Sequence, residues 1–267
     1  MGRLDGKIVW VTGAGSGIGE AAALALAREG ATGLVLTGRR REPLEGVARR
    51  IGPAVAVEPG DVTVSADVGR IAASIRERFG RLDILVANAG TNVVGRDWGR
   101  LTPEAAEAVL TGNLTGAFLS ALAVLPIMRA HGGGLLIHTA SVAGRQIGLL
   151  AGPAYTAAKH GLVAMSHSIN VQECVNGIRS CAILPGEVAT PILDQRPVPV
   201  KRRGQGADAP ARGRGRPDRL RRQPSVARGD QRGDDHPDLE QGLRRSGATG
   251  WAVRLGDPRP LVRWLGP

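Results

Sequence analysis

The sequence predicts an α/β protein, a single doubly wound parallel sheet with helices on both faces, followed by an irregular C-terminal tail. Two observations carry this. From residue 7 to about residue 190, short β-branched or Leu-rich runs alternate with longer Ala-rich stretches of helical period, as repeated βα units do. Aromatic residues are only 3% of the 267 while Ala and Gly abound, which suits helices packed closely on a sheet better than an aromatic-rich sandwich. The hydrophobic share of 42% is ample for a core, and one domain is the simplest division of a chain this long.

The predicted strands fall at 7–11, 34–37, 54–57, 84–87, 135–139 and 180–184. Helices begin near Gly17, Glu42, Ser65, Thr102 and Pro153, with Thr102-Pro103 reading as an N-cap followed by proline at the first helical position. No window holds about 18 uninterrupted apolar residues, and the N-terminus runs into a strand without a signal-peptide core, so a cytoplasmic protein with no membrane partner is expected. Cys174 and Cys181 have no metal-ligand spacing and read as two buried thiols rather than a bridge. His131, His138, His160 and His167 form no paired-ligand pattern and read as packing or surface residues, so no metal site is expected.

The net charge of +11 is unevenly placed: of 35 Lys and Arg and 24 Asp and Glu, residues 1–196 hold 19 and 16, a near balance. The excess sits in the last quarter, residues 201–267, where Arg, Gly, Pro and Asp dominate and apolar periodicity is lost. Such a segment cannot bury enough surface to offset its ordering entropy, so an irregular tail separate from a 1–200 domain is expected.

The run VTGAGSGIGE follows the first strand and opens a helix. Gly13, Gly17 and Gly19 allow a tight turn and a close approach of backbone to a dinucleotide pyrophosphate, whose charge the helix N-terminus favours. A carboxylate at the end of the second strand would take a ribose hydroxyl, but Thr37 stands there and Arg39, Arg40 and Arg41 follow Gly38. Guanidinium donors with no opposing carboxylate favour a 2′-phosphate. NADP(H) is therefore the preferred cofactor and NAD(H) the alternative, while the arginines could equally be a solvated helix start. Asp61 and Val62 after the third strand, and Asn88, Ala89 and Gly90 after the fourth, lie at strand carboxyl ends where ligands bind in such sheets. Asp61 also suits a turn or cap, and Asn88 a tie between strands.

Tyr155 and Lys159 stand four residues apart, hence on one helix face. A cation beside a phenol lowers its pKa toward the working range of an acid/base, and this is the only tyrosine in the chain. An ordinary surface pair is the competing reading. Ser141, just past the fifth strand, can hydrogen-bond a substrate oxygen that Tyr155 protonates, or be a turn serine. Asn113 sits where a mid-helix amide is mildly unfavourable, which a bound water or a satisfied core amide would explain.

Taken together these motifs resemble the short-chain dehydrogenase/reductase family over about residues 5–200. TGAGSGIG matches its TGxxxGxG, ANAG at 87–90 its NNAG with Ala for the first Asn, GNLTGAF carries its helix Asn at Asn113, and PGEVATP at 185–191 is similar to its PGxVxTP. Ser141, Tyr155 and Lys159 fit its Ser, Tyr and Lys positions. The resemblance implies a Rossmann fold and hydride transfer between the nicotinamide and a ketone, aldehyde or alcohol carbon. In that scheme Ser141 orients the oxygen, Tyr155 exchanges the proton, Lys159 holds the nicotinamide ribose and Asn113 a relay water. Ser16, Ile18, Pro185, Gly186, Val188 and Thr190 are implied as further cofactor contacts, Thr190 through the carboxamide. The partners implied are a small-molecule substrate and a second or further copies, as homodimer or homotetramer.

Family members continue with a helix, an MLxPEDVA-like segment and a last strand resembling NEVTIIPT, none of which follows here. Taking the last two nucleotides of each codon with the first of the next, residues 208–217 can encode MLQPEDVAD and residues 230–244 TNEVTIIPTWNRAY. A single insertion or deletion between about Val200 and Asp208 is therefore expected to have shifted the frame, which gives the basic tail no nucleic-acid meaning. Two other readings stand beside the enzyme: an impaired homologue that only binds NADP(H), and a nucleotide-sensing protein that holds polyanions on the tail.

Overall fold

The computed structural model describes residues 2–186 and 188 of the chain. The expected roles of Thr190 and of residues 201–267 lie outside them. Six parallel strands, β1 (Ile8–Thr12), β2 (Gly33–Thr37), β3 (Val55–Val57), β4 (Ile84–Ala87), β5 (Gly134–Thr139) and β6 (Ile178–Ile183), form one sheet in the order β3-β2-β1-β4-β5-β6. The order reverses between β1 and β4, and the crevice there opens at the strands' carboxyl ends. Five of the predicted strands fall within a residue of those found. The sixth begins two residues early, because Arg179 and Cys181 break the apolar run that marks its neighbours.

The side chains of each strand alternate between two cores. On one face Trp10, Val35, Leu85 and Leu136 pack against α3 (Ser65–Phe79), α5 (Gly116–Ala130) and α6 (Pro153–Glu173). On the other Val9, Val11, Leu34, Leu36 and Val86 meet α1 (Gly17–Arg28) and α2 (Arg41–Ile51) through Ala23, Leu44 and Val47. That second layer stops short of β6, where Arg179 and Cys181 are exposed and Ile183 is 41% exposed. Cys174, at the end of α6, is exposed too, so both cysteines are free but not buried as expected; each lies where no described helix covers it.

The predicted N-cap is present: Thr102 Oγ1 accepts the Ala105 amide at 3.2 Å, opening α4 (Pro103–Leu110). From there the chain stays helical to Ala130, interrupted by one wide π turn at Thr111–Thr115. By length and composition this stretch is apolar enough to cross a membrane, and Ala117, Ala121, Val124 and Met128 set one face of it in the first core. His138 on β5 is wholly buried, and burial pushes its imidazole down to about 4, so it packs as a neutral ring. His131 sets its Nε2 2.7 Å from the Leu82 carbonyl.

Asp83, at the foot of β4, is a tie that sequence patterning does not reveal. Its carboxylate accepts the Ile8 amide at 2.9 Å and Arg81 Nε at 3.0 Å, with Lys7 Nζ at 3.4 Å. Burial alone would raise its pKa, but the Arg81 bond, the Ile8 amide and both cations outweigh it and hold the group below the usual carboxylate range. Glu173, bonded to Arg129 and Asn176, is held down at about 2 and joins the ends of α5 and α6. Both depressed groups stabilise the fold above the ordinary carboxylate pKa, and that stability is lost as pH falls through their folded values. Asp83→Asn is expected to lower the melting temperature at pH 7 and to shrink the difference in melting temperature between pH 7 and pH 3; equal acid sensitivity in the two chains would contradict the assignment.

Candidate active site

The glycine turn is built by close packing. Gly13 (φ +64°) and Gly17 (φ +58°) hold left-handed conformations that a side chain would strain. A Cβ on Gly19 would lie 2.2 Å from the Gly13 carbonyl oxygen and 2.5 Å from Asn88 Nδ2. Gly19 is buried, so it acts by letting α1 close on the turn and does not face the cleft as Gly13 does. Asn88 Nδ2 reaches the carbonyls of Thr12 and Gly13 at 3.2 and 3.3 Å, while Thr12 Oγ1 accepts the amides of Asn88 and Ala89 at 3.0 and 3.1 Å. The amide of Asn88 is thus the strand tie, and the residue also borders the cleft. Ser16 caps α1 from an extended conformation without bonding a helix amide, which leaves its hydroxyl and the first-turn N–H groups for a ligand.

Above this turn lies a cleft of about 770 Å³, a size suited to a small-molecule site. Ser16, Gly17 and Ile18 line one end, Ala89 and Gly90 the floor, and Ser141, Tyr155 and Lys159 the far wall with Pro185, Gly186 and Val188. A second hollow of about 510 Å³ shares Gly13, Ser16, Arg39 and Arg40 with it and is bounded by Asp61 and Val62. Thr37 is spent inside, its hydroxyl accepting Trp10 Nε1 at 2.8 Å. Arg39 and Arg40 face both hollows, whereas Arg41 turns back to Glu45 at 3.6 Å as a solvated helix start. Asp61 Oδ1 accepts the amide and hydroxyl of Thr63 at 2.9 and 2.8 Å, so this carboxylate shapes the turn. Val62 is buried against Gly116, where a Cβ would come within 2.8 Å of it.

The four candidate catalytic groups converge. Gly152 (φ +78°) and Pro153 start α6, which sets Tyr155 in its first turn and Lys159 one turn on. Lys159 is 3% exposed, donates to the Thr139 carbonyl at 2.8 Å and lies 5.3 Å from the centre of the Tyr155 ring. Its ammonium therefore sits over the ring face, and burial lowers its own pKa to about 8. Burial raises Tyr155 above its ordinary value, opposed in part by the Ser141 hydroxyl and by the charge of Arg96. Ser141 also accepts the Ala143 amide at 3.2 Å, capping the short turn Val142–Gly144.

Asn113 lies within the π turn, 1% exposed. Its Nδ2 donates to the carbonyls of Thr91 and Val109 at 2.6 and 2.8 Å, while its buried Oδ1 has no partner. A Cβ on Gly90 would lie 2.6 Å from that oxygen and 3.6 Å from Lys159 Nζ, so the glycine keeps the space between amide and ammonium open. An open acceptor beside a buried ammonium suits a water. Among the cleft-lining residues outside the expected set are Asn92 and Arg96, both 7% exposed. Their one signal in the sequence is a polar and a charged residue in the loop after β4, at a strand's carboxyl end.

The model of the short-chain dehydrogenase family matches residues 7–198. The chain belongs to the short-chain dehydrogenase family. Members are oxidoreductases that use NAD(P)(H) on CH–OH groups of small molecules. Among its relatives, levodione reductase of Leifsonia aquatica is 37% identical over 198 residues, covering 72% of this chain and 73% of that one. A 3beta-hydroxysteroid dehydrogenase of Mediterraneibacter gnavus is 33% identical over 206 residues, covering 76% and 74%. Among solved structures, 3-ketoacyl-(acyl-carrier-protein) reductase from Brucella melitensis complexed with NADH superposes with a TM-score of 0.69 at 30% identity, covering 73% of this chain and 81% of that one.

The glycine cradle and the open helix terminus fit such a dinucleotide. Gly19→Val is expected to weaken NADPH binding by roughly tenfold or more, because its side chain has nowhere to go without moving the turn; titration of nucleotide fluorescence measures it, and unchanged affinity in a folded variant would refute the packing argument.

Proposed function

We propose that this family member is an NADP(H)-preferring reductase and alcohol dehydrogenase, with Tyr155 as its acid and base. The observation that supports it is the meeting of Tyr155, Ser141, Lys159 and Asn113 at one wall of the cleft beside the glycine turn. When bound, the nicotinamide supplies or takes up the hydride. The chain's own residues do the rest. Ser141 holds the substrate oxygen, and Tyr155 gives that oxygen its proton in reduction and takes it back in oxidation. Lys159, fixed by the Thr139 carbonyl, presents its ammonium beneath the phenol to the ribose hydroxyls. Asn113 Oδ1 faces a gap next to that ammonium, where a water can pass the proton onward.

The preference for NADP(H) rests on Arg39 and Arg40 at the junction of the two hollows and on the committed hydroxyl of Thr37. Relatives named for levodione and for a 3beta-hydroxysteroid support a small carbonyl compound or alcohol as substrate. Exposed Phe118 and Leu122, a turn apart on α5, support association of copies.

Tyr155→Phe is expected to cut ketone-dependent NADPH oxidation by at least about a hundredfold while NADPH binding is kept. Retained turnover would end the proposal, and a wild-type chain that binds NADPH but reduces no ketone would favour the binding-only reading. Arg39→Ala combined with Arg40→Ala is expected to raise the KM for NADPH roughly tenfold or more and that for NADH far less; equal effects would remove the cofactor preference. Because the free phenol titrates above its ordinary value, it is protonated at neutral pH and ready to donate. Ketone reduction should therefore stay level through neutrality, whereas alcohol oxidation, which needs the phenolate, should rise with pH; parallel rate profiles would argue against this assignment.

A further inference from the structure

The loop after β4 grips the segment that leads into α6. Asn92 Nδ2 donates to the Ala151 carbonyl at 3.1 Å, and its Oδ1 accepts the Val93 amide at 2.9 Å, which fixes the side chain's direction. Arg96 Nη1 reaches the Leu150 carbonyl at 3.4 Å. Gly152 lies flat on Arg96: a Cβ there would stand 2.4 Å from the arginine's carbonyl oxygen and 2.8 Å from its Cβ. Three consecutive residues, 150 to 152, are thus held by the loop, and Pro153 opens the helix immediately after them. Just upstream, Ile147 and Leu149 are 89% and 98% exposed, so the sequence before this point has little packing of its own to fix it.

Both side chains are buried, and one is a guanidinium whose desolvation is costly. A tie between two loops could be made by a neutral residue. What a charge adds is its field on the phenol across the cleft. The groups that face Tyr155 are Lys159 from its own helix, which lies over the ring, Ser141 from beyond β5, and Arg96 from beyond β4. No Asp or Glu lines this cleft among the described residues. The Arg96 charge opposes the burial that raises the phenol.

We propose that Asn92 and Arg96 are positioning residues, which lock the 150–152 segment so that α6 delivers Tyr155 to the cleft that the Arg96 guanidinium also lines. The inference rests on the reading of Tyr155 as the acid and base. It can be tested without turnover, because the chain contains one tyrosine and phenolate absorbance reports that residue alone.

Arg96→Gln, which keeps hydrogen-bond donors and removes the charge, is expected to raise the phenol's titration midpoint by about half a pH unit or more. Arg96→Lys should return most of that shift. Asn92→Ala should leave the midpoint near that of the wild type and lower kcat roughly tenfold, with the KM for NADPH unchanged. Identical midpoints for wild type and a cooperatively melting Arg96→Gln chain, or wild-type kcat in Asn92→Ala, would overturn the proposal. If Arg96→Gln does not fold, Arg96→Lys decides: a wild-type midpoint with lowered kcat supports the role, and wild-type kcat overturns it. Loss of the charge effect in an active enzyme sinks this inference alone, and an inactive wild type with the expected titration shift sinks only the proposed function.

Discussion

The crossing of backbone at the carboxyl edge of β1 constrains everything built above it. Gly13 turns left-handed, Gly19 brings α1 within contact of the Gly13 carbonyl, and Asn88 from the loop after β4 binds that same carbonyl through its amide. Because three separate elements share one carbonyl, the strand β1, the helix α1 and the loop after β4 keep fixed relative positions. The same loop then supplies Gly90, whose missing side chain leaves the gap between Asn113 and Lys159. The glycine turn and the gap beside Lys159 thus draw on one piece of packing.

The chemistry of the far wall is set by a competition between burial and charge. Burial favours the uncharged forms of both Tyr155 and Lys159, raising one and lowering the other. Burial thus works against both the phenolate and the ammonium. Ser141 and Arg96 pull in the opposite direction, from two different loops, so the balance depends on how those loops are held and not on α6 alone.

Much of this was legible in the sequence where a residue type has few ways to be useful. The glycines, Thr37 with the arginines behind it, and the Tyr155 and Lys159 pair sit in the structure as their spacing implied, and the strands were marked by apolar runs. What could not be read depends on direction rather than identity. Spacing puts Lys159 a turn from Tyr155 but cannot say that its ammonium lies over the ring and reaches the Thr139 carbonyl. Helical periodicity carries through residues 111–115 and so conceals the π turn that frees Asn113 Oδ1. Asp83 and Arg96 look like surface charges in loops, and only the fold shows that both are nearly enclosed.

The cleft's lining carries Arg39, Arg40, Arg96 and Lys159 and, among the described residues, no carboxylate. A concave wall of one sign concentrates its potential at the mouth and extends it into solvent by about a Debye length, ~8 Å at physiological ionic strength. A dinucleotide, bearing its phosphates, feels that field before it touches the protein. Capture is consequently governed by salt: encounter quickens in dilute buffer and slows as counterions gather, even where the contacts finally made stay the same.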